Sequence, residues 1–398
     1  MANIAFLLHK FPNGGIERVT INLIKPLVEK YGHRIFIYLY ELNEQNLAEA
    51  LPVTYIQLPY ETWEKENKGF LEQSVVENKI DVLISTQVAS DIVYNLKKKS
   101  LCKLAFVFHG HPFYEVKEIF WYIHNKPVKH KRAIKTAFRL FKKHVLTIPK
   151  FHLGVYRRRI VKQYKDIYKN TDAFGTLFDE YSQLIARAIG VKDVANSKLH
   201  TLRNPINKAL DIPIDGPREK RVIYIGRLSR RDKRVDRLLM VWNIVHKTHP
   251  DWHLSIVGDG EDRENLEKIV ADLKLPRVEF CGFTSSPEKF YANSEILCLT
   301  SEFEGCPMVL LEAQSYGCAT MAFDCSYGVR DILSPNWENG VYVPNGEIEA
   351  YAEAMSRMMD DDELRQKIQR NGLENVKRFS AEESARQYDA LIQKLCSE

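Results

Sequence analysis

A chain of 398 residues with ordinary apolar content and 57 Lys and Arg against 52 Asp and Glu has room for two or three domains, each with its own core. No apolar run approaches the roughly 18 residues of a membrane span, and the start MANIAFLLHKF lacks the basic leader and long apolar stretch of a secretion signal. The seven cysteines are odd in number and show no paired metal-ligand spacing, so they read as buried thiols of a reduced, cytosolic protein without disulfides or structural zinc.

Residues 4–9 form an apolar strand, and Asn13-Gly14-Gly15-Ile16-Glu17-Arg18-Val19 follows it. Glycines between a first strand and a helix let backbone approach a phosphate or a sugar, which makes Gly14 and Gly15 candidate binding residues. The pair reads equally as a plain tight turn. Val19, Leu23, Ile24 and Leu27 then recur at helical spacing. Strand candidates at 34–40, 53–58, 81–85 and 104–108 alternate with helix-like stretches, the pattern of a parallel α/β sheet. The last of them delivers His109-Gly110-His111-Pro112 to a strand's carboxyl end, where open α/β sheets bind ligands. Either histidine reads as well as a turn residue bonded to backbone.

Residues 115–169 interleave aromatics with cations. Between positions 126 and 169 stand fifteen Lys and Arg and one acid, Asp166, and without this stretch the chain is net acidic. Aromatics among cations suit an anionic membrane surface, the favoured partner. Single-stranded nucleic acid is the less favoured rival, and a solvated basic insertion is the bland alternative. Residues 171–190 form one more strand and helix, Leu202-Arg203-Asn204-Pro205-Ile206 follows, and the Pro- and Asp-rich stretch 211–218 reads as a connector.

A second run of elements opens with the strand 221–225 closed by Gly226-Arg227-Leu228, a basic loop at 229–234 and a helix at 235–246. The strand 254–257 ends in Gly258-Asp259-Gly260, and 278–283 is a short strand ending at Phe283. Residues 295–300 lead into SEFEGCPMVLLEAQSYGCAT, which turns at Gly305 and opens a helix at Pro307. Amides at that helix start, from Met308 through Val309 to Leu310, with the positive end of its dipole, suit a diphosphate. Glu312 stands roughly 8 Å further along the helix, where a carboxylate can accept bonds from both ribose hydroxyls. Glu304 faces the other end of such a ligand. Taken alone, the two carboxylates also read as solvated charges. A capping-box pattern, Ser380-x-x-Glu383, opens a last helix.

The pattern S-x-x-E-G-x-P-x-x-x-L-E-A-x-x-x-G, the glycine turn at 14–18, Gly226–Leu228 and Val257–Gly260 together resemble family 4 glycosyltransferases. The resemblance implies a GT-B fold, two Rossmann-like domains facing a cleft. These are an acceptor-side domain over 1–205, a nucleotide-sugar domain over 206–379, and a helix over 380–398 that crosses back. It implies a retaining enzyme with a nucleotide-sugar donor, UDP-linked, and neither cofactor nor metal. The sugar moved is hexosyl or N-acetylhexosaminyl, and the acceptor is a saccharide, lipid-linked, in surface-polysaccharide assembly at the inner membrane face. By the same resemblance Arg227 and Lys233 hold the diphosphate, Gly258, Gly305 and Phe283 border the nucleotide, and Glu304 and His109 touch the donor sugar, with His111 the lesser candidate. The loop before Lys233 is one residue longer than the family pattern, with Arg230 and Arg231 inside it. The alternatives are a non-catalytic sugar-nucleotide-binding partner of another transferase, a nucleotide-sugar epimerase and a phosphorylase.

Overall fold

A computed structural model describes residues 1–11, 15–42, 51–60, 66–86, 90–116, 119, 154–206 and 218–397. Gly14, most of the basic aromatic stretch and nearly all of the connector therefore lie outside the described residues.

The first half builds one parallel sheet. Its strands are β1 (Asn3–Phe11), β2 (Arg34–Leu42), β3 (Val53–Gln57), β4 (Val82–Ser85), β5 (Lys103–Phe108), β6 (Ala173–Thr176) and β7 (Leu199–Thr201), in the order β3-β2-β1-β4-β5-β6-β7. Leu83, Ile84, Ala105 and Val107 are buried, as strands covered by helices on both faces require. The covering helices are α1 (Gly15–Glu29), α2 (Glu66–Glu77), α3 (Asp91–Lys98), α4 (Val155–Asn170) and α5 (Asp179–Ile189). In α4, Ile160, Tyr164 and Ile167 turn inward at helical spacing onto Phe106 and Phe174. Its other face exposes Arg157, Arg158, Arg159, Lys162, Lys165 and Lys169. The short β7 is one strand more than the sequence suggests; with three residues, two of them polar, it carries no apolar run.

The second half repeats the plan with β8 (Glu219–Ile225), β9 (His253–Val257), β10 (Val278–Gly282), β11 (Ser294–Leu299), β12 (Ala319–Asp324) and β13 (Val341–Pro344), ordered β10-β9-β8-β11-β12-β13 and all parallel. Between them lie α6 (Val235–Val245), α7 (Arg263–Asp272), α8 (Glu288–Asn293), α9 (Met308–Ser315), α10 (Tyr327–Leu333), α11 (Ile348–Asp360) and α12 (Asp362–Asn375). Strand order reverses between β1 and β4 in one sheet and between β8 and β11 in the other. Such switch points open crevices at the strands' carboxyl ends.

A one-turn 3-10 helix (Val376–Phe379) leads into α13 (Ala381–Ser397), which returns to the first half. Ala385, Tyr388, Leu391, Ile392 and Leu395 of α13 join Val19, Leu23, Ile24 and Leu27 of α1 in one core. The outward and return crossings lie side by side, with Ile206 N donating to Phe379 O at 2.9 Å. Ser380 caps α13 by accepting from Glu383 N at 3.1 Å. The capping box is only half made: the Glu383 carboxylate turns to Arg386, and Ser380 N donates to Lys377 O. A guanidinium within reach outbids a backbone amide for that carboxylate.

Since Tyr388 is buried between the returning helix and α1, Tyr388→Ala should cost about 3 kcal/mol and lower the melting temperature by several degrees. An unchanged melting temperature would mean that α13 does not hold the first half together.

Candidate active site

The crevice of the second sheet gathers the charged residues that the sequence singles out. The β8–α6 and β11–α9 loops are tied together there: Glu302 N donates to Asp232 O at 2.7 Å, and Thr300 Oγ1 to Lys233 O at 3.3 Å. Between them Lys233 Nζ donates to Glu304 Oε1 at 2.7 Å, and Ser301 Oγ donates to the same oxygen at 2.6 Å. Both bonds fall on Oε1. Both side chains are largely buried, 26% and 11% exposed, so the pair is only weakly screened. Burial works against the Lys233 ammonium, but the Glu304 carboxylate outweighs it and holds the pKa above the ordinary lysine value.

The longer basic loop sorts itself by geometry. Arg230 lies against Asp262 and Asp236. Arg234, at φ +49°, turns to Asp236 and Glu302. Lys233 is thus the loop cation that meets Glu304. Arg227 is bonded to Asp232 at 2.6 Å and remains 58% exposed, a guanidinium with donors to spare at the crevice mouth.

The start of α9 departs from expectation. Pro307 precedes the helix at ψ 82°, and the first helical residue is Met308. Met308 N donates to Cys306 O and Leu310 N to Pro307 O, so these two amides are engaged inside the turn; the Leu310 side chain is in the core. Val309 and Met308 are half-buried. Further along α9, Glu312 Oε2 accepts from Tyr291 Oη at 2.7 Å, and Tyr291 is stacked on Tyr316. That bond fixes one of its two oxygens.

Glycines make the crevice possible. At φ +138°, Gly258 is so close to the first loop that a Cβ would lie 1.9 Å from Gly226 O; one at Gly260 would lie 2.3 Å from Leu228 O. Beyond them Phe283 stands 80% exposed at the end of β10, an open aromatic face. Gly15 is exposed at the start of α1 with open space around it.

From the first half comes His109. Its Nδ1 donates to Asn204 Oδ1 at 2.9 Å, so the neutral ring carries its lone pair on Nε2, and that atom is buried without a partner among the described residues. Burial pushes the His109 pKa down to about 4, with the Asn204 bond opposing it. A Cβ on Gly305 would lie 2.9 Å from His109 O, so the loop carrying Glu304 runs against the backbone of His109. His111 is bonded through Nδ1 to Pro112 O at 2.6 Å, a turn histidine. The structure thus brings Lys233, Glu304 and Ser301 into direct contact and sets the His109 backbone beside their loop. Ser301, Asp232 and Asn204 stand inside the motifs without being singled out by them. Tyr291 carries no sequence signal: an aromatic in a short helix reads as core. Among the described residues no group of three or more His, Cys, Asp or Glu could hold a metal ion, and all seven cysteines are free.

Residues 212–375 match the model of the family described as glycosyl transferases group 1. An uncharacterized glycosyltransferase of Haemophilus influenzae is 36% identical over 146 residues, covering 36% of this chain and 41% of that one. The lipopolysaccharide 1,6-galactosyltransferase of Salmonella typhimurium is 31% identical over 187 residues, covering 45% and 50%. The chain thus spans half or less of the length of these relatives. The crystal structure of Anabaena Alr3699/HepE in complex with UDP superposes with a TM-score of 0.73 at 16% identity, over 98% of this chain and 100% of that one. Two parallel sheets joined in this way make the fold GT-B. Over residues 212–375 the chain is similar to the group 1 glycosyl transferases, the family 4 type.

Two tests follow from the geometry. Gly258→Ala should cost about 1–3 kcal/mol, because it forces both a left-handed φ and a collision with Gly226 O; a melting temperature equal to wild type would contradict this. His109 has a folded pKa below its unfolded value. Its contribution should be complete above about pH 6.5 and fade as pH falls towards 4, where the unfolded chain binds the extra proton. A wild-type minus His109→Asn stability difference that is flat across that window would refute the assignment.

Proposed function

We propose that the protein is a retaining glycosyltransferase that moves a hexosyl or N-acetylhexosaminyl group from a UDP-linked donor to a lipid-linked saccharide during bacterial surface-polysaccharide assembly. The observation that carries this reading is the cluster of Lys233, Ser301 and Glu304 at the switch point of the second sheet, with the His109 backbone against its loop. The relative that acts on lipopolysaccharide and the neighbour that binds UDP support the substrate class.

In this reading Glu312 accepts from the ribose hydroxyls, and Phe283 offers its ring to the base. The diphosphate lies between Arg227, Lys233 and the loop after Gly305. Negative charge grows on the leaving phosphate oxygen as its bond to the anomeric carbon breaks, and the spare donors of Lys233 and Arg227 stabilise it. Oε2 of Glu304 accepts from donor-sugar hydroxyls, and the bare Nε2 of neutral His109 accepts from another. The acceptor hydroxyl attacks from the face that the diphosphate leaves. Its proton passes to the departing phosphate oxygen, and the new bond keeps the configuration of the old one. No protein base is needed for such a step.

The exposed cations of α4 support docking on an anionic membrane, where a lipid-linked acceptor resides. Arg157, Arg158, Lys162 and Lys165 with Val161 line a groove of about 490 Å³. Each cation near a charged surface is worth about 1 kcal/mol.

Three measurements test the reading. Melting with UDP, GDP and ADP should show a selective rise with UDP. Glu312→Ala should remove that rise, whereas Glu304→Ala should keep it and lower turnover by roughly 100-fold or more. Equal loss of UDP affinity in both variants would overturn the two roles. Replacing Arg157, Arg158, Lys162 and Lys165 with alanine should weaken binding to phosphatidylglycerol vesicles at least about tenfold at low salt; undiminished binding would remove the membrane from the proposal.

A further inference from the structure

Tyr181 belongs to the first half, on α5, yet its hydroxyl bonds the second. It donates to Gly305 O at 2.9 Å and accepts from Gly328 N at 3.3 Å. Gly305 adjoins Glu304 in the chain, and Gly328 lies in the first turn of α10. The side chain is fully buried and its ring is held by Phe178, His111 and Tyr327 at centroid distances of 5.2, 5.2 and 6.3 Å.

The backbone around it is unusually close. A Cβ on Gly328 would lie 2.6 Å from Gly305 O, and one on Gly305 would lie 2.9 Å from His109 O. The loop that carries Glu304 therefore runs between two backbones, with the Phe178 ring against Gly328. Contact of this kind, like the apolar packing of Leu177 and Phe178 beside it, limits how near the halves can come, but apolar packing is not directional. A hydroxyl that bonds a carbonyl on one side and an amide on the other sets the register of the halves, because those bonds are directional. Burial raises the phenol pKa far above its ordinary value, so the donated proton is present at every working pH.

We propose that Tyr181 is a positioning residue for sugar transfer: its hydroxyl fastens the Glu304 loop to the amino-terminal half and so sets Glu304 against His109. The proposal rests on the reading of Glu304 and His109 as donor-sugar contacts. Tyr181 itself touches no substrate. Its effect is to fix where one group of contacts stands relative to the other, a matter on which an error of about 1 Å can cost 100-fold in rate.

Tyr181→Phe keeps the ring and removes only the hydroxyl. The control is Tyr351→Phe, which removes a buried hydroxyl bonded to Met321 O at 3.0 Å wholly within the second half. Hydrogen–deuterium exchange should become faster at residues 304–308 and 328–330 in Tyr181→Phe and stay as in wild type there in Tyr351→Phe. Turnover of whichever of UDP-glucose, UDP-galactose, UDP-GlcNAc and UDP-GalNAc the wild type hydrolyses should fall roughly 10- to 100-fold in Tyr181→Phe, with the UDP dissociation constant within about threefold. Tyr351→Phe should keep wild-type turnover. Unchanged exchange in the Glu304 loop overturns the proposal, as does unchanged turnover. A loss of rate matched by loss of UDP affinity, or shared by Tyr351→Phe, also overturns it in favour of a general structural role. If the wild type turns over none of these donors, the functional reading fails, and the exchange data alone decide whether Tyr181 holds the loop.

Discussion

Everything at the centre of the molecule depends on how closely two backbones approach at Gly305. Any residue with a Cβ at that position would push against His109 O, and any at Gly328 would push against Gly305 O. Glycine is needed here for its lack of bulk, since neither residue has the left-handed φ that also favours it. The outcome is a single core shared by the halves: Leu177, Phe178 and Tyr181 pack with Leu310, Leu311, Val329 and Ile332. A crevice that would otherwise belong to one sheet becomes a site with walls from two.

Within that site the Lys233–Glu304 pair balances two costs. Each charge would be expensive to bury alone, and each is made tolerable by the other and by Ser301. Among the described residues the same pairing leaves the ammonium with two unspent donors and the carboxylate with one unspent oxygen, held in place by the fold. Preorganisation of this sort lowers the reorganisation that binding must otherwise supply. It also couples the two residues, so removing either strands the other.

Much of this architecture is written locally in the chain. Strands buried on both faces are continuous apolar runs, and β2, β8 and β12 start and end within two residues of those runs. Glycine turns and the Glu304–Glu312 spacing likewise advertise the crevice. What stays hidden is tertiary. Tyr181 and Tyr291 sit at helical positions where an aromatic means core, and nothing local says that their hydroxyls reach Gly305 O and Glu312. Pro307 suits a first helical turn, yet the tight turn through Cys306 holds it at an extended ψ and delays the helix by one residue. The Glu383 carboxylate follows a nearby guanidinium instead of its own helix cap.

The return of α13 to α1 gives the chain an order of events. Val19, Leu23, Ile24 and Leu27 emerge from the ribosome well before the residues that cover them, Tyr388 and Leu391 among them. Until α13 is made the first sheet therefore carries an uncovered apolar stripe on α1, and the amino-terminal half closes only after the second sheet is complete. The core begun first is thus completed after the second sheet, and a nascent chain of this fold has most need of a chaperone until α13 appears.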